Sequence, residues 1–400
     1  MLRRARAATA TASALVRNRV FAHKFANACA RRGPVPDGAI GVYFATGPEN
    51  TYQLLHWLLA LERLAKTHPI VLIVARPDTG QRLLDATALP ITFAPGSAFL
   101  ETLVRDRGLR AVLYVNHVEL NFRMLRFASP VHVYLGHGES DKDSSVSNQN
   151  KAYDRVFVAG RAAQDRMATH LRGFDVLDRT RSIGRPQLDH RYAGAPQWSR
   201  GEEIRVLYAP TWEGDRPSMA YGSLATHGVP MMRALADDPR FRIIYRPHPR
   251  SGFNSPAYRA ADQEIRTILA RHGDRHLVDD GDYGWQWDFA DVCITDISSI
   301  AYDWLATAKP LLITHPDDPQ AFVPPSRLLT EMPSIAASDA TSIADRLCSM
   351  AGDGLSPAIR QAAADLADYY FGATADGQST LRFHAAVNEV LVYGQTHPVA

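Results

Sequence analysis

Short apolar runs alternate with longer amphipathic stretches along most of the chain, and the series occurs twice. The first series is Ile40–Ala45, Ile70–Ala75, Ala111–Val115, Val131–Leu135 and Val156–Ala159. The second is Ile204–Tyr208, Phe241–Tyr245, His276–Val278, Val292–Thr295 and Leu311–Thr314. Runs this short and this continuously apolar match parallel strands buried on both faces. Between them the spacing predicts helices, at Asn50–Lys66 and Gly160–Leu171 and then at Tyr221–Asp237, Ala257–His272, Ser298–Ala308 and Pro357–Tyr370. The pattern therefore predicts two doubly wound α/β domains facing a cleft. A chain of 400 residues is also longer than one core accommodates. Arg185–Gly201 is rich in Gly, Pro and polar residues and reads as a linker. The expected organisation is a basic segment over 1–36, a first domain over 37–195, a second over 196–375, and a final segment over 376–400. In that last segment a helix of about Ser379–Val392 crosses back onto the first domain.

Charge narrows the function. The net charge is +2, and no stretch interleaves aromatic with basic residues, so nucleic-acid binding finds no support. The charge is uneven, however. Residues 1–36 hold Arg3, Arg4, Arg6, Arg17, Arg19, Lys24, Arg31 and Arg32 and no acid, which leaves the remainder near −6. A helix over Ala14–Ala30 would carry Leu15, Val16, Val20, Phe21 and Phe25 among those cations. Such a helix either packs on the first domain or docks on an anionic membrane surface. Cys29, Cys293 and Cys348 are widely spaced, and no run of about 20 apolar residues exists. A cytoplasmic protein, peripheral at the inner face of the membrane, is expected.

In open α/β sheets ligands bind beyond the carboxyl ends of the strands. Four polar clusters stand there. The first is Gly136-His137-Gly138-Glu139-Ser140-Asp141-Lys142. Histidine suits proton removal near neutral pH, though a histidine in a turn also simply ends a strand. The second is Tyr208-Ala209-Pro210-Thr211-Trp212, where Thr211 either meets a ligand or forms a turn. The third, Tyr245-Arg246-Pro247-His248-Pro249-Arg250, gathers two cations and an imidazole that fit a pyrophosphate or form a basic surface turn. The fourth is Thr295-Asp296-Ile297-Ser298-Ser299, a strand end opening a helix. Ser298 is a natural N-cap, and a second hydroxyl there fits an anion at the helix start. No phosphate-binding glycine loop, nucleophile elbow or metal-ligand spacing occurs, so no metal is expected.

Together the clusters resemble the CDP-glycerol glycerophosphotransferase family, the teichoic-acid polymerase and primase group. The matching segments are His137-Gly138, Tyr208 to Trp212, His248-Pro249, Thr295 to Ser299, Lys309-Pro310 and the late Asp376-Gly377-Gln378-Ser379, spread over roughly 130–390. The resemblance implies a GT-B fold and transfer of a glycerophosphate-type group from a CDP-polyol donor to a lipid-linked or polymeric envelope acceptor. CMP is released and no cofactor is needed. It implies His137 as base and His248 as its catalytic partner at the donor phosphates. Ser298 and Ser299 bind those phosphates, with Arg246 and Arg250 beside them, and Thr211 and Asp296 line the donor site. Gly138, Asp141 and Lys142 fall on the acceptor side. There the sequence departs from the family, with Leu135-Gly136 before the HG pair and Glu139 to Lys142 after it. A GT-B enzyme using a nucleotide-sugar donor is the alternative, and a catalytically silent binding protein on the same fold is a third reading.

Overall fold

The computed structural model describes the chain except residues 1, 142–145, 200, 282, 324, 353–355 and 400, and the side chains of 2–16 and 352. Two wholly parallel sheets emerge. The first contains β1 (Ile40–Phe44), β2 (Ile70–Val74), β3 (Ile91–Phe93), β4 (Ala111–Tyr114), β5 (Val131–Tyr134), β6 (Arg155–Val158) and β7 (Thr180–Ser182). Its order is β3-β2-β1-β4-β5-β6-β7. The second contains β8 (Ile204–Ala209), β9 (Phe241–Tyr245), β10 (Leu277–Val278), β11 (Val292–Thr295), β12 (Leu311–Thr314) and β13 (Ser334–Ile335), in the order β10-β9-β8-β11-β12-β13. Every central strand is buried along most of its length, as its continuous apolar run requires. The order reverses between β1 and β4 and between β8 and β11. A crevice opens beyond each pair.

The two-sheet α/β architecture is the one expected. β3, β7 and β13 were not foreseen, because two or three residues of mixed burial leave no periodic signal. Three helices differ from expectation. The helix predicted over Asn50–Lys66 divides into Pro48–Asn50, Tyr52–Leu55 and Leu58–Leu64. At the last break Trp57 turns its indole inward to the Gly136 carbonyl, 2.7 Å away. The helix predicted over Tyr221–Asp237 is a π turn, Leu224–Gly228, running into Val229–Ala236, with Pro230 in its first turn. The first helix runs over Leu2–Arg31, and Phe25 and Cys29 are buried in the first domain's core. Phe25 meets Phe93 edge-on at 5.5 Å. The cysteines are free thiols.

The helix Gln378–Thr396 crosses back as expected. Phe383, Val387, Val390 and Leu391 pack with Ile40, Val42, Leu113 and Val133 beneath the first sheet. The expectation of a loose linker at 185–201 needs correction in its first part. Ile183 to Gln187 are buried, and Arg185 forms a bidentate pair with Asp303 at 2.8 and 2.9 Å. Its backbone amide donates to Ser379 Oγ at 3.0 Å, and Asp189 accepts from the Thr380 amide at 2.5 Å. Gly and Pro here serve a tight buried path tied to the final helix and to Asp303. Arg185 and Asp303 are 6% and 1% exposed, so removing one partner leaves a bare charge in the interior. Arg185→Ala is expected to lower stability by about 3–5 kcal/mol, while Arg185→Met with Asp303→Leu recovers most of that loss. Chemical unfolding of the three proteins checks the difference.

Candidate active site between the two sheets

β5 delivers His137. The chain leaves the strand at Leu135 and turns at Gly136, whose φ of +66° suits glycine. His137 Nδ1 then lies 3.2 Å from the Val115 carbonyl at the end of β4. A carbonyl only accepts, so Nδ1 carries the proton and Nε2 holds the lone pair. Burial pushes the imidazole down to about 4; the Val115 carbonyl opposes this and the Arg185 cation adds to it. His137 is therefore neutral at pH 7 and able to accept a proton at Nε2.

β9 delivers His248 with the opposite tautomer. The Arg250 amide donates to His248 Nδ1 at 3.1 Å, so the neutral ring is protonated at Nε2. Prolines on both sides fix this turn, and the Ser251 amide closes it on the His248 carbonyl at 2.8 Å. One tyrosine joins the two histidines. Tyr52, from the first domain, meets the His137 ring at 6.2 Å and the His248 ring at 5.7 Å, both edge-on.

The motif cations lie on the His248 side. Arg246 is anchored by Asp279 at 2.7 Å and the Gly281 carbonyl at 2.9 Å, over the Tyr283 ring. Arg250 stacks 3.8 Å above Trp212 and makes only a 3.4 Å contact with Asp215. Trp212 also lies parallel to His248.

The serine pair meets the histidine loop directly. A Cβ built on Gly138 would stand 2.8 Å from the Ser299 Cβ, so glycine is what allows this approach. Ser298 occupies the N-cap position, with φ −146° and ψ 166°, but its side chain does not cap the helix Ser299–Leu305. Its Oγ is 3.2 Å from Thr295 Oγ1, whose own proton goes to the Ala209 carbonyl at 2.7 Å. Ser298 must therefore donate to Thr295.

Two expected residues take other positions. Asp296 is wholly enclosed; its oxygens accept from the Thr211 amide at 2.6 Å, the Ser223 amide at 3.1 Å and Thr314 Oγ1 at 2.5 Å. Burial raises its pKa, against the pull of these donors. It holds the Thr211 loop and does not line the cleft. Asp141 is likewise consumed. Its carboxylate receives Arg166 at 2.6 Å, Ser326 at 2.6 Å and Tyr370 at 2.5 Å, and its amide donates to Tyr302 OH at 3.1 Å. It joins the domains and offers no oxygen to an acceptor. Lys142 lies outside the described residues. Lys309 clamps the carbonyls of Trp287 and Ala290 at 2.6 and 2.7 Å.

Sequence reasoning missed Tyr52, His56, Arg185 and Tyr283. His56 lies over Tyr283 at 5.0 Å across the cleft, and burial, then Arg185 and Arg246, push its pKa well below normal. Tyr52 and His56 stand four residues apart just after β1, on one face of a helical stretch, and that spacing was the available signal.

The match to known proteins agrees with this geometry. The family model for CDP-glycerol:poly(glycerophosphate) glycerophosphotransferase matches residues 135–380. No curated protein sequence matches the chain. Among solved structures, a variant of the wall teichoic acid polymerase TagF superposes with a TM-score of 0.59 at 12% identity, covering 90% of this chain and 91% of that one. The S. aureus MnaA–UDP co-structure gives 0.57 at 14%, covering 91% and 99%. A glycosyltransferase from Rickettsia africae gives 0.53 at 11%, covering 89% and 99%. The structural likenesses establish a GT-B type fold, and the family match over residues 135–380, most of the chain, places this protein in the CDP-glycerol glycerophosphotransferase family.

Proposed function

We propose that this protein transfers a glycerophosphate-type group from a CDP-linked polyol to a hydroxyl of an envelope polymer or lipid-linked acceptor. The acceptor oxygen attacks the phosphorus that bears the polyol. The bond from that phosphorus to the CMP oxygen breaks, and CMP leaves. The acceptor proton passes to His137 Nε2. His248, protonated at Nε2, and Arg250 meet the negative charge on the diphosphate, with Arg246 behind them and Ser298 and Ser299 at the helix start. The observation that carries this reading is the contact of Gly138 with Ser299, which sets the His137 loop of one domain against the Ser298–Ser299 helix start of the other. Titration with CDP-glycerol, CDP-ribitol and UDP-sugars, followed by mass analysis of the acceptor product, tests it. Binding and turnover of UDP-sugars alone would replace it with sugar transfer.

The basic first helix supplies a membrane contact in this reading. Its Phe25 side is buried in the first domain, whereas Val20 and Phe21 are 49% and 39% exposed beside Arg19 and Lys24. No helix among the described residues is long and apolar enough to cross a membrane. We expect sedimentation with anionic vesicles that weakens steeply as salt rises, because surface charge is screened within about 10 Å at 0.1 M salt. Binding to neutral vesicles of equal strength would remove this role.

His137→Ala is expected to lower turnover by about 10²–10⁴-fold with CDP-donor affinity unchanged. The neutral ring also sets a pH dependence. A histidine whose pKa falls on folding stays unprotonated down to that lower value. Activity attributable to His137 should therefore persist below pH 6.5 and fail only toward about 4, which the pH profile of kcat/KM reads. An acid limb at 6.5 would show that His137 is not the base. Ser298→Ala with Ser299→Ala should weaken CDP-glycerol binding by calorimetry. Stability should fall by no more than about 1 kcal/mol, since no side-chain cap is lost.

A further inference from the structure

The Val115 carbonyl that fixes the His137 tautomer ends β4, at the point where the first sheet reverses order. The next two residues are Asn116 and His117. Asn116 spends its Nδ2 on Gln53 Oε1 at 2.8 Å and Thr46 Oγ1 at 3.4 Å, but its Oδ1 is buried with no partner. His117 stacks on Tyr134 at 3.7 Å, and both of its ring nitrogens are buried without a hydrogen bond. Asn150, fully enclosed on the turn Asn148–Ala152, has neither amide atom matched. The groups are neighbours. Burial lowers the His117 proton affinity, the facing Asn150 side chain raises it, and the nearby His137 lowers it further.

A folded interior pairs almost all its polar atoms, and each one left unmatched costs about 1–3 kcal/mol. Five polar atoms buried beside a base, none held in a well-aligned hydrogen bond, leave donors and acceptors for a ligand to engage. The chemistry of that ligand follows from the donor set. None of the three side chains is charged at pH 7, since burial holds His117 down at about 4. A phosphate would find no cation among them, while the arginines Arg246 and Arg250 stand on the second domain. An amide presents a donor and an acceptor side by side, and a neutral imidazole presents one of each. Hydroxyl groups, which both donate and accept, match that set. The cluster is also held in place. Asn121 Nδ2 grips the Asn116 carbonyl at 2.7 Å and Tyr153 OH at 3.0 Å. Gln53 connects it to Tyr52, the ring between the two histidines, at 3.4 Å.

We infer that Asn116, His117 and Asn150 form a subsite for the terminal polyol of the acceptor, recognising its hydroxyl groups and presenting one of them to His137. The inference rests on the transfer reading above and deepens it. The probe is a short soluble glycerol-phosphate oligomer with a free terminal glycerol, compared with the same oligomer methylated at its terminal hydroxyls. His117→Phe, which keeps the stack on Tyr134, and Asn150→Ala should each raise the KM of the free oligomer about tenfold, the loss of one hydrogen bond. CDP-glycerol affinity should stay within about twofold of the parent protein. Unchanged KM in both folded variants would overturn the subsite, and so would a loss confined to donor affinity. A second measurement needs neither a variant nor turnover. In the full-length protein labelled at histidine, the His117 ring signals should move when the free oligomer is added and stay still with the methylated oligomer or with inorganic phosphate. Movement with phosphate, or no movement with the free oligomer, overturns the inference even where the donor reading stands. If CDP-glycerol neither binds nor reacts while the His117 signals respond to the free oligomer, the donor reading fails and the hydroxyl subsite remains.

Discussion

The buried pair of Arg185 with Asp303 is the constraint on which the cleft depends. Arg185 leaves the last strand of the first sheet, and Asp303 lies on the helix that begins at Ser299. The same guanidinium lies 3.4 Å from the His137 carbonyl. One side chain thus touches the histidine loop and the serine helix at once. Its charge is buried against Asp303, so loss of either partner alone leaves an uncompensated ion between the domains. The contact of Gly138 with Ser299 follows from that restraint. Asp141 adds a second tie: its amide donates to Tyr302, and its carboxylate receives Ser326 and Tyr370 from the other half of the molecule.

Within that frame the two motif histidines hold opposite tautomers through their backbone partners. A carbonyl fixes one tautomer of His137, and an amide fixes the other tautomer of His248. Burial keeps His137 neutral at pH 7, which makes it available as a base at the expense of intrinsic basicity. A diphosphate bound alongside would shift the balance back, because a nearby anion favours the imidazolium. In the proposed reaction, donor binding would in this way raise the basicity of His137. The charges divide likewise between the domains. Arg246 and Arg250 belong to the second, and the uncharged cluster of Asn116, His117 and Asn150 to the first.

Much of this was legible in the chain itself. Continuous apolar runs are the necessary signature of strands covered on both faces, so the two parallel sheets followed from hydrophobicity alone. Polar motifs at the ends of those runs singled out His137, His248 and the serine pair as candidates, because a parallel sheet sends its ligand-binding loops off one edge. The return of the final helix was readable from its apolar face. β3, β7 and β13 were not legible, since two or three residues of half-buried edge strand resemble any loop.

What the tertiary structure alone decided is which polar groups are already spent. In sequence Asp296 and Asp141 sit in the same motifs as Ser299 and His137. In the fold Asp296 is sealed by three donors and Asp141 is consumed by Arg166, Ser326 and Tyr370. Tyr52, His56 and Arg185 carry no motif, yet the packing of β1 and of the buried segment after β7 sets them in the cleft. Hydrophobic periodicity determines where strands and helices form, because it is a local property of the chain. Hydrogen-bond partners and burial are properties of chain segments far apart in sequence, and only the folded structure brings those together.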